Sequence, residues 1–149
     1  MTPAQFNRYM LWKLPSAFWC GVRLKQLTSV QAVTTVRLSW FNQNPFKSMF
    51  WAVQGMAAEL STGALMFPKI KDSGQKVSML VVQNEAIFTK KAVGRITFTC
   101  GQGAAIDHAL KHTIDTKEPA TVWLESIGID ENGVQVAVFK FKWSLKVKT

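Results

Sequence analysis

The last segment of the chain, residues 134–147, alternates between apolar and polar side chains. Successive side chains of a β-strand point to opposite faces of a sheet, so this period of two predicts a strand with one buried face and one solvent-exposed face. The apolar face carries Ala137, Phe139, Phe141, Trp143, Leu145 and Val147, and the polar face carries Lys140, Lys142, Ser144, Lys146 and Lys148. This pattern indicates a sheet that covers a core on one side.

Five further segments, 22–27, 32–40, 77–88, 94–100 and 121–129, also predict strands, because they are rich in β-branched and aromatic residues. The turn sequence at 130–133 predicts a hairpin between the last two strands. Thr2 followed by Pro3 is typical of a helix start, and residues 104–114 predict a short additional helix. Strands therefore dominate the second half of the chain.

Residues 48–68 form a stretch of 21 positions with a single charge, Glu59. Apolar and small side chains occur on every side of the helix that this stretch predicts, and a helix that is apolar all round must be buried all round. Asn44 and Ser48 are candidate N-caps, and residues 69–76 predict a polar loop. We therefore expect an α+β fold, in which an antiparallel sheet of about six strands wraps around a long central helix, with an N-terminal helix and a short extra helix.

The same stretch is long enough to cross a bilayer. Against that interpretation, Glu59 lies at its centre, and Gln54, Ser61 and Thr62 dilute its hydrophobicity. We expect no membrane insertion.

The chain has 149 residues, which predicts one domain over 1–149. Apolar residues make up 48% of it, which excludes a disordered chain. Cys20 and Cys100 are too few for a disulfide scaffold, and with no signal peptide apparent in the first ten residues they favour a cytoplasmic location. His108 and His112 are four residues apart, so both could bind one metal ion from the same helix face. Two ligands do not complete a metal site, and we expect no metal.

Glu59 is the candidate catalytic residue. No basic residue lies within four positions of it, so burial in the helix should raise the pKa of its carboxyl and make it a base. Ala52, Gly55, Thr62 and Gly63 share its helical face, and their small side chains would leave a crevice beside it. The first backbone N–H groups of a helix are unpaired and can polarise a carbonyl oxygen. Together these features can serve acyl transfer.

The segment from Asn44 to Glu59 resembles the PaaI-type thioesterase motif of hotdog-fold proteins. In that motif an Asn precedes a His-Gly-Gly at a helix start, and an Asp or Glu follows nine residues after the His. Here Phe50, Trp51 and Ala52 occupy the His-Gly-Gly positions, and Glu59 follows nine residues after Phe50. The pattern Asn-x-x-x-Ser-Met-Phe is more similar to a PaaI-like branch that includes the thioesterase-like domain fused to some bacterial acetyltransferases.

This resemblance implies the hotdog fold, a homodimer or tetramer with its site at a subunit interface, and acyl thioesters of coenzyme A as substrates. It implies that Glu59 acts as base or nucleophile with Asn44 as a second catalytic residue, and that no cofactor is needed beyond the coenzyme A of the substrate. Substrate would contact residues at the helix start and along the Glu59 face: Ser48, Met49, Phe50, Trp51, Ala52, Gly55, Thr62 and Gly63.

Two other functions remain open. Loss of the two glycines favours a non-catalytic module that binds acyl-CoA or a fatty acyl group in the same crevice.

The net charge of +9 favours binding of polyanions, and Lys90, Lys91 and Arg95 are the candidate contacts for coenzyme A phosphates. Nucleic-acid binding is disfavoured, because alternation places the aromatic side chains of 139–143 on the face opposite to the lysines.

Overall fold

The computed structural model describes residues 1–148. The helices are α1 (Pro3–Lys13), α2 (Pro15–Trp19), α3 (Trp51–Asp72) and α4 (Gly103–Thr116). The strands are β1 (Arg23–Leu27), β2 (Ala32–Arg37), β3 (Val77–Phe88), β4 (Arg95–Cys100), β5 (Ala120–Ile129) and β6 (Gln135–Val147).

All six strands form one antiparallel sheet in the order β1-β2-β4-β5-β6-β3, which confirms the predicted number of strands. Strand β6 buries the side chains predicted for its core face, including Phe139, Phe141 and Trp143. The sheet curls around α3, which packs against β1, β2, β4, β5 and β6. The predicted architecture is therefore confirmed.

Small residues on α3 allow the sheet to pack closely against it. Ala57, Ala58 and Ala64 are fully buried. A Cβ atom at Gly55 would lie 3.5 Å from the ring of Phe139, and a Cβ at Gly63 would lie 3.5 Å from the ring of Trp143. Both glycines thus lie against aromatic rings of β6.

Buried hydroxyl groups connect the middle of α3 to the sheet. Ser61 Oγ and Ser126 Oγ of β5 lie 2.7 Å apart, and Thr34 Oγ1 of β2 donates to the carbonyl oxygen of Ala57 at 2.6 Å. Trp143 Nε1 donates to Thr62 Oγ1 at 3.0 Å. Buried polar groups are costly unless paired, so these bonds fix how the helix sits in the sheet.

Helix α1 begins as predicted, with Thr2 and Gln5 forming a capping box. It covers the β1 edge of the sheet, where the Asn7 side chain bonds both backbone groups of Leu24: Asn7 Nδ2 donates to the Leu24 oxygen at 2.9 Å, and Leu24 N donates to Asn7 Oδ1 at 2.8 Å. Phe6 and Met10 are fully buried. Some of the backbone N–H and C=O groups on the outer edge of β1 are therefore already hydrogen-bonded to α1.

Three local predictions are wrong. The segment predicted as a strand to residue 40 ends at Arg37 and gives way to a 3₁₀ turn at Trp40–Asn42. The polar loop predicted from residue 69 is helical as far as Asp72, with Pro68 inside α3. One proline in the last turns removes a single backbone hydrogen bond, which the buried apolar residues of the preceding turns offset.

The third correction concerns the surroundings of α3. The helix is enclosed from Leu60 to Met66, but Ala52, Gly55, Met56 and Glu59 are only half-buried and form a stripe along its first turns. The helix is therefore not buried on every side. No helix of the described residues is long and apolar enough to cross a membrane.

Candidate functional site

The loop before α3 is held by two asparagine side chains. Asn42 is buried, and its Nδ2 donates to the carbonyl oxygens of Cys20 and Arg37, each at 2.9 Å. Asn44 Oδ1 accepts from the backbone N–H of Phe46 at 2.9 Å, and Asn44 Nδ2 donates to Ser48 Oγ at 2.9 Å. These bonds fix the path of the chain into the helix.

Neither predicted cap residue caps α3. The N-cap is Phe50, in an extended conformation, and it makes no side-chain hydrogen bond to the helix. Asn44 and Ser48 instead bond to each other and to the loop backbone, because the loop turns between them before the helix begins. In the part of the chain that the structure describes, the N–H groups of Trp51 and Ala52 are without an acceptor, whereas Val53 N donates to the Phe50 oxygen at 3.0 Å.

An open cavity of about 630 Å³ lies against this helix start. Its wall includes Asn44, Ser48, Phe50, Trp51 and Gln54, with Phe88 and the lysines of the following loop on the opposite side. The Phe50 and Trp51 rings are exposed and lie edge to face with centroids 6.2 Å apart. The structure thus brings the predicted residues of the helix start together around one cavity.

Glu59 lies two turns into α3, on the half-buried stripe. Burial raises the pKa of its carboxyl, and among the described residues it has neither a charged partner nor a hydrogen bond that would lower the pKa again. Its Oε1 is 3.9 Å from the point where a Gly63 Cβ would lie. An unpaired, half-buried carboxylate is a stronger base than an exposed one, because burial raises its pKa.

Three other predicted contact residues differ in accessibility. Gly55 belongs to the half-buried stripe, whereas Gly63 and Thr62 are buried. The Thr62 hydroxyl donates to the Glu59 carbonyl oxygen at 2.8 Å and accepts from Trp143, so it is already fully engaged. Met49 is also buried, under the loop.

One of the three predicted basic residues is paired with a carboxylate. Lys90 Nζ lies 2.7 Å from Asp130 Oδ2, whereas the bond from Arg95 to Glu131 Oε1, at 3.3 Å, comes from the backbone N–H and leaves the guanidinium charge unpaired among the described residues. Lys91 is exposed, with Nζ 6.0 Å from the centroid of the Phe46 ring. Lys90 and Lys91 line the cavity, whereas Arg95 does not.

Sequence reasoning missed Gln54 as a site residue. It is 4% exposed, lines the cavity, and carries a side-chain oxygen with no hydrogen-bond partner among the described residues. The signal that selected Glu59, a polar residue in a helix of small and apolar residues, also applied to Gln54.

Comparison with known proteins decides the fold. No family model and no curated protein matches the chain. A protein of unknown function from Pseudomonas aeruginosa, described as a probable thioesterase, superposes with a TM-score of 0.85 at 22% identity, covering 98% of this chain and 97% of its own. The chain has the hotdog fold. A protein of unknown function from Chlorobaculum tepidum is similar to this hotdog chain with a TM-score of 0.82, at 15% identity, over 99% of this chain and 98% of its own.

A thioesterase from Staphylococcus aureus is a third hotdog neighbour, solved with one glutamine replaced by alanine. Its TM-score is 0.67 at 14% identity, with 90% of this chain and 98% of that chain covered. A second variant from this organism has a glutamate replaced by alanine and superposes with a TM-score of 0.66 at 13% identity, over 85% of this chain and 94% of its own.

Proposed function

We propose that the protein hydrolyses acyl thioesters, with those of coenzyme A as the expected substrates and Glu59 as general base or nucleophile. The observation that carries the proposal is the carboxylate of Glu59, half-buried, unpaired and raised in pKa beside small helix residues. As a base, it would take a proton from water while the water oxygen bonds to the thioester carbon. The carbon–sulfur bond then breaks, and the thiolate leaving group takes up a proton.

The helix start supplies the complementary group. As water adds, negative charge develops on the carbonyl oxygen, and fixed N–H donors in a partly dry site stabilise that charge. The N–H groups of Trp51 and Ala52 are free for this role. We therefore place the oxyanion at the start of α3.

Asn44 lies beside the cavity, where its side-chain oxygen accepts from the backbone N–H groups of Phe46 and Ser48 and so shapes the loop before α3. We assign Asn44 a positioning role for the substrate or the helix start.

One chain does not hold a complete site. Trp51 and Glu59 are eight residues apart on α3, which corresponds to about 12 Å along the helix axis. A thioester carbonyl must lie near both groups, at roughly 3 Å from the oxyanion donors. We infer that the helix start of one subunit works with the Glu59 of another.

The free edge of β3 is the contact that we propose for this second subunit. Strand β3 has 12 residues and ends the sheet, and its exposed side chains include Leu80, Val82, Ile87 and Phe88. A long apolar edge is a template for pairing with another strand. Sedimentation equilibrium at micromolar concentration should show a dimer or tetramer, and a 16.7 kDa monomer alone would contradict the shared site.

Hydrolysis is tested with a panel of acyl-CoA thioesters assayed for release of free thiol. The unaltered protein should turn over at least one member of the panel, and Glu59→Gln should abolish that turnover. Glu118→Gln, in the exposed loop after α4, is the matched control and should keep it. Equal turnover by the protein and by Glu59→Gln would contradict the proposal.

The shared site is tested by mixing two inactive variants. Phe50 has φ −59° and ψ 131°, a conformation that accepts a following proline, so Trp51→Pro removes one free N–H without disturbing the helix. Trp51→Ala keeps that N–H and is the control. Random mixing of Trp51→Pro with Glu59→Gln should restore about a quarter of full activity, because half of the dimers carry one intact site of two. No recovery on mixing would place both groups in one chain.

A non-catalytic acyl-CoA or fatty-acyl binding module is the second candidate function. It is favoured by the exposed Phe50 and Trp51 rings, which stand at the helix start beside the proposed oxyanion donors and offer an apolar wall. Saturable binding of an acyl-CoA without release of thiol would select this candidate.

We propose Lys90, Lys91 and Arg95 as contacts for the phosphates of coenzyme A. Lys91 is the strongest of the three, because it has no carboxylate partner among the described residues and lines the cavity. Lys91→Ala should weaken binding of free coenzyme A and reduce its salt dependence. Unchanged affinity at low salt would assign this lysine to the solvated surface.

A further inference from the structure

Gln54 carries a buried amide that the protein itself does not satisfy. It lies in the first turn of α3 with 4% of its surface exposed. Its Oε1 is shielded from water and has no hydrogen-bond partner among the described residues. Nearly all buried polar side-chain atoms in proteins are paired, so an unpaired one calls for an explanation.

The neighbouring polar side chains of the cavity wall do not share this property. The Asn44 and Ser48 side chains bond to each other, and Asn44 Oδ1 also accepts from the backbone N–H groups of Phe46 and Ser48. Asn42 is bonded to two carbonyl oxygens behind the loop. Gln54 is therefore a polar group of this wall with unused hydrogen-bonding capacity.

Burying the Gln54 amide costs more free energy than burying an apolar side chain of the same size. A leucine or methionine has a similar volume, and at this position it would bury without the cost of an unpaired amide. A site that keeps a buried polar group without a partner gains from it when a ligand supplies the missing bond, and such sites discriminate strongly against ligands that lack the bonding group.

We propose that Gln54 is a specificity-determining residue whose side-chain oxygen, once rotation of the terminal amide turns it toward the cavity, accepts a hydrogen bond from a hydroxyl or amide N–H on the buried part of the ligand. The inference rests on the proposed function and makes it narrower: the preferred thioesters carry a hydrogen-bond donor close to the thioester group. Two parts of an acyl-CoA can supply such a donor. One is a hydroxyl on the acyl chain, and the other is an amide of the pantetheine arm.

The test measures binding by calorimetry in a Glu59→Gln background, so that no probe is consumed. Four probes separate the two sources of the donor: hexanoyl-CoA, 3-hydroxyhexanoyl-CoA, and the S-propyl thioesters of the same two acids, which lack the pantetheine amides. Gln54→Leu is the variant, and Gln26→Leu on the exposed part of β1 is its control.

If the acyl hydroxyl is the donor, Gln54→Leu should weaken binding of the two hydroxyacyl probes about 10- to 100-fold and leave the two hexanoyl probes unchanged. If the pantetheine amide is the donor, both CoA thioesters should weaken by this factor and both propyl thioesters should not. Gln26→Leu should change none of them. Either pattern supports the proposal.

Three results would overturn it. These are no binding of any probe by the parent, equal affinities of Gln54→Leu and parent for all four probes, and a changed subunit dissociation constant without a change in probe affinity. The last result would assign the amide to the subunit contact. Binding that depends on Gln54 in a protein that never releases thiol would refute the hydrolase and leave this inference standing.

A second measurement needs no ligand. Because the amide is unpaired in the free protein, Gln54→Leu should raise the melting temperature by about 2–4 °C, whereas Gln26→Leu should not. A lower melting temperature for Gln54→Leu would show that the amide has a partner in the free protein, and would overturn the proposal.

Discussion

Residues 51–66 of α3 fall into two halves with different surroundings, an open half at 51–59 and an enclosed half at 60–66. From Leu60 to Met66 every residue is buried, and the polar side chains Ser61 and Thr62 are each bonded to a strand. From Trp51 to Glu59 a half-buried stripe remains, and the two polar side chains, Gln54 and Glu59, have no partner among the described residues. The polar side chains of the enclosed half are hydrogen-bonded to the sheet, whereas those of the open half are not.

This difference separates stability from function along a single element. Satisfied buried groups hold a fold together, whereas unsatisfied ones cost stability and are retained where a ligand or a reaction uses them. Free N–H groups, a protonatable carboxylate and an unpaired amide all occur within the first nine residues of α3. The enclosed half fixes the position of these groups.

The largest expected effect comes from the open half. Glu59→Gln keeps the shape of the side chain and removes the base, so it should lower the turnover of any hydrolysed acyl-CoA by about 10² to 10⁴-fold. Its melting temperature should stay equal or rise, because no ion pair is lost. A fall of several degrees with unchanged activity per folded molecule would make Glu59 structural and reverse the comparison.

Truncating core residues should distinguish the halves by stability. Leu65 is fully buried in the enclosed half, and Leu65→Ala should cost about 2–5 kcal/mol of unfolding free energy. Met56 lies on the half-buried stripe, so Met56→Ala should cost less than half as much. Urea unfolding of both variants measures the difference. Equal losses would show that the open half is as tightly packed as the other.

An added methyl group tests how closely the helix fits the sheet. Gly63→Ala places a Cβ at ordinary contact distance from Trp143 and should stabilise the helix by about 0.5–1 kcal/mol. Gly128→Ala of β5 is the counterpart, because its Cβ would lie 2.5 Å from the buried ring of Phe98 and should destabilise the protein by roughly 1–3 kcal/mol. Thermal unfolding should give opposite signs for the two.

The smallest effect is a pH dependence. Folding raises the pKa of Glu59, so the folded state disfavours the ionised carboxylate, and the associated stability is present below the unfolded pKa and is lost as pH rises through the folded pKa. Glu59→Gln should therefore be more stable than the parent at neutral pH, and the two should converge below about pH 4. A stability gap that widens on acidification would contradict the assigned shift.

Much of the fold followed from periodicity. The alternation of β6 and the single charge within residues 48–68 were enough to predict a sheet around a helix, because both patterns depend on which faces are buried. The end of α3 was not predictable in this way: Lys69 extends the helix by pairing with Asp107 of α4 at 2.8 Å, a contact distant in sequence. The early end of β2 reflects the Asn42 side chain, which bonds the Arg37 oxygen from the following turn.

The site was predicted in part. The spacing from Asn44 to Glu59 led to the helix start and the carboxylate, and the structure brings Asn44, Ser48, Phe50 and Trp51 to one cavity. Sequence alone did not show that Asn44 and Ser48 bond to each other, since that depends on the loop path. It also did not show that Gln54 lacks a partner, which depends on every group packed around it.

The two edges of the sheet set how far it can grow. At the β1 edge, Asn7 bonds both backbone groups of Leu24, and a bulge interrupts the pairing of a strand of only five residues. In the described part of the chain, only β3 has a long edge of unpaired backbone N–H and C=O groups. If two β3 strands pair about a twofold axis, each satisfies the free backbone groups of the other. Only the two covered β1 edges then remain, so the assembly stops at a dimer. Removing the Asn7 amide would free the two backbone groups of Leu24, but α1 would still cover this edge through the buried Phe6 and Met10.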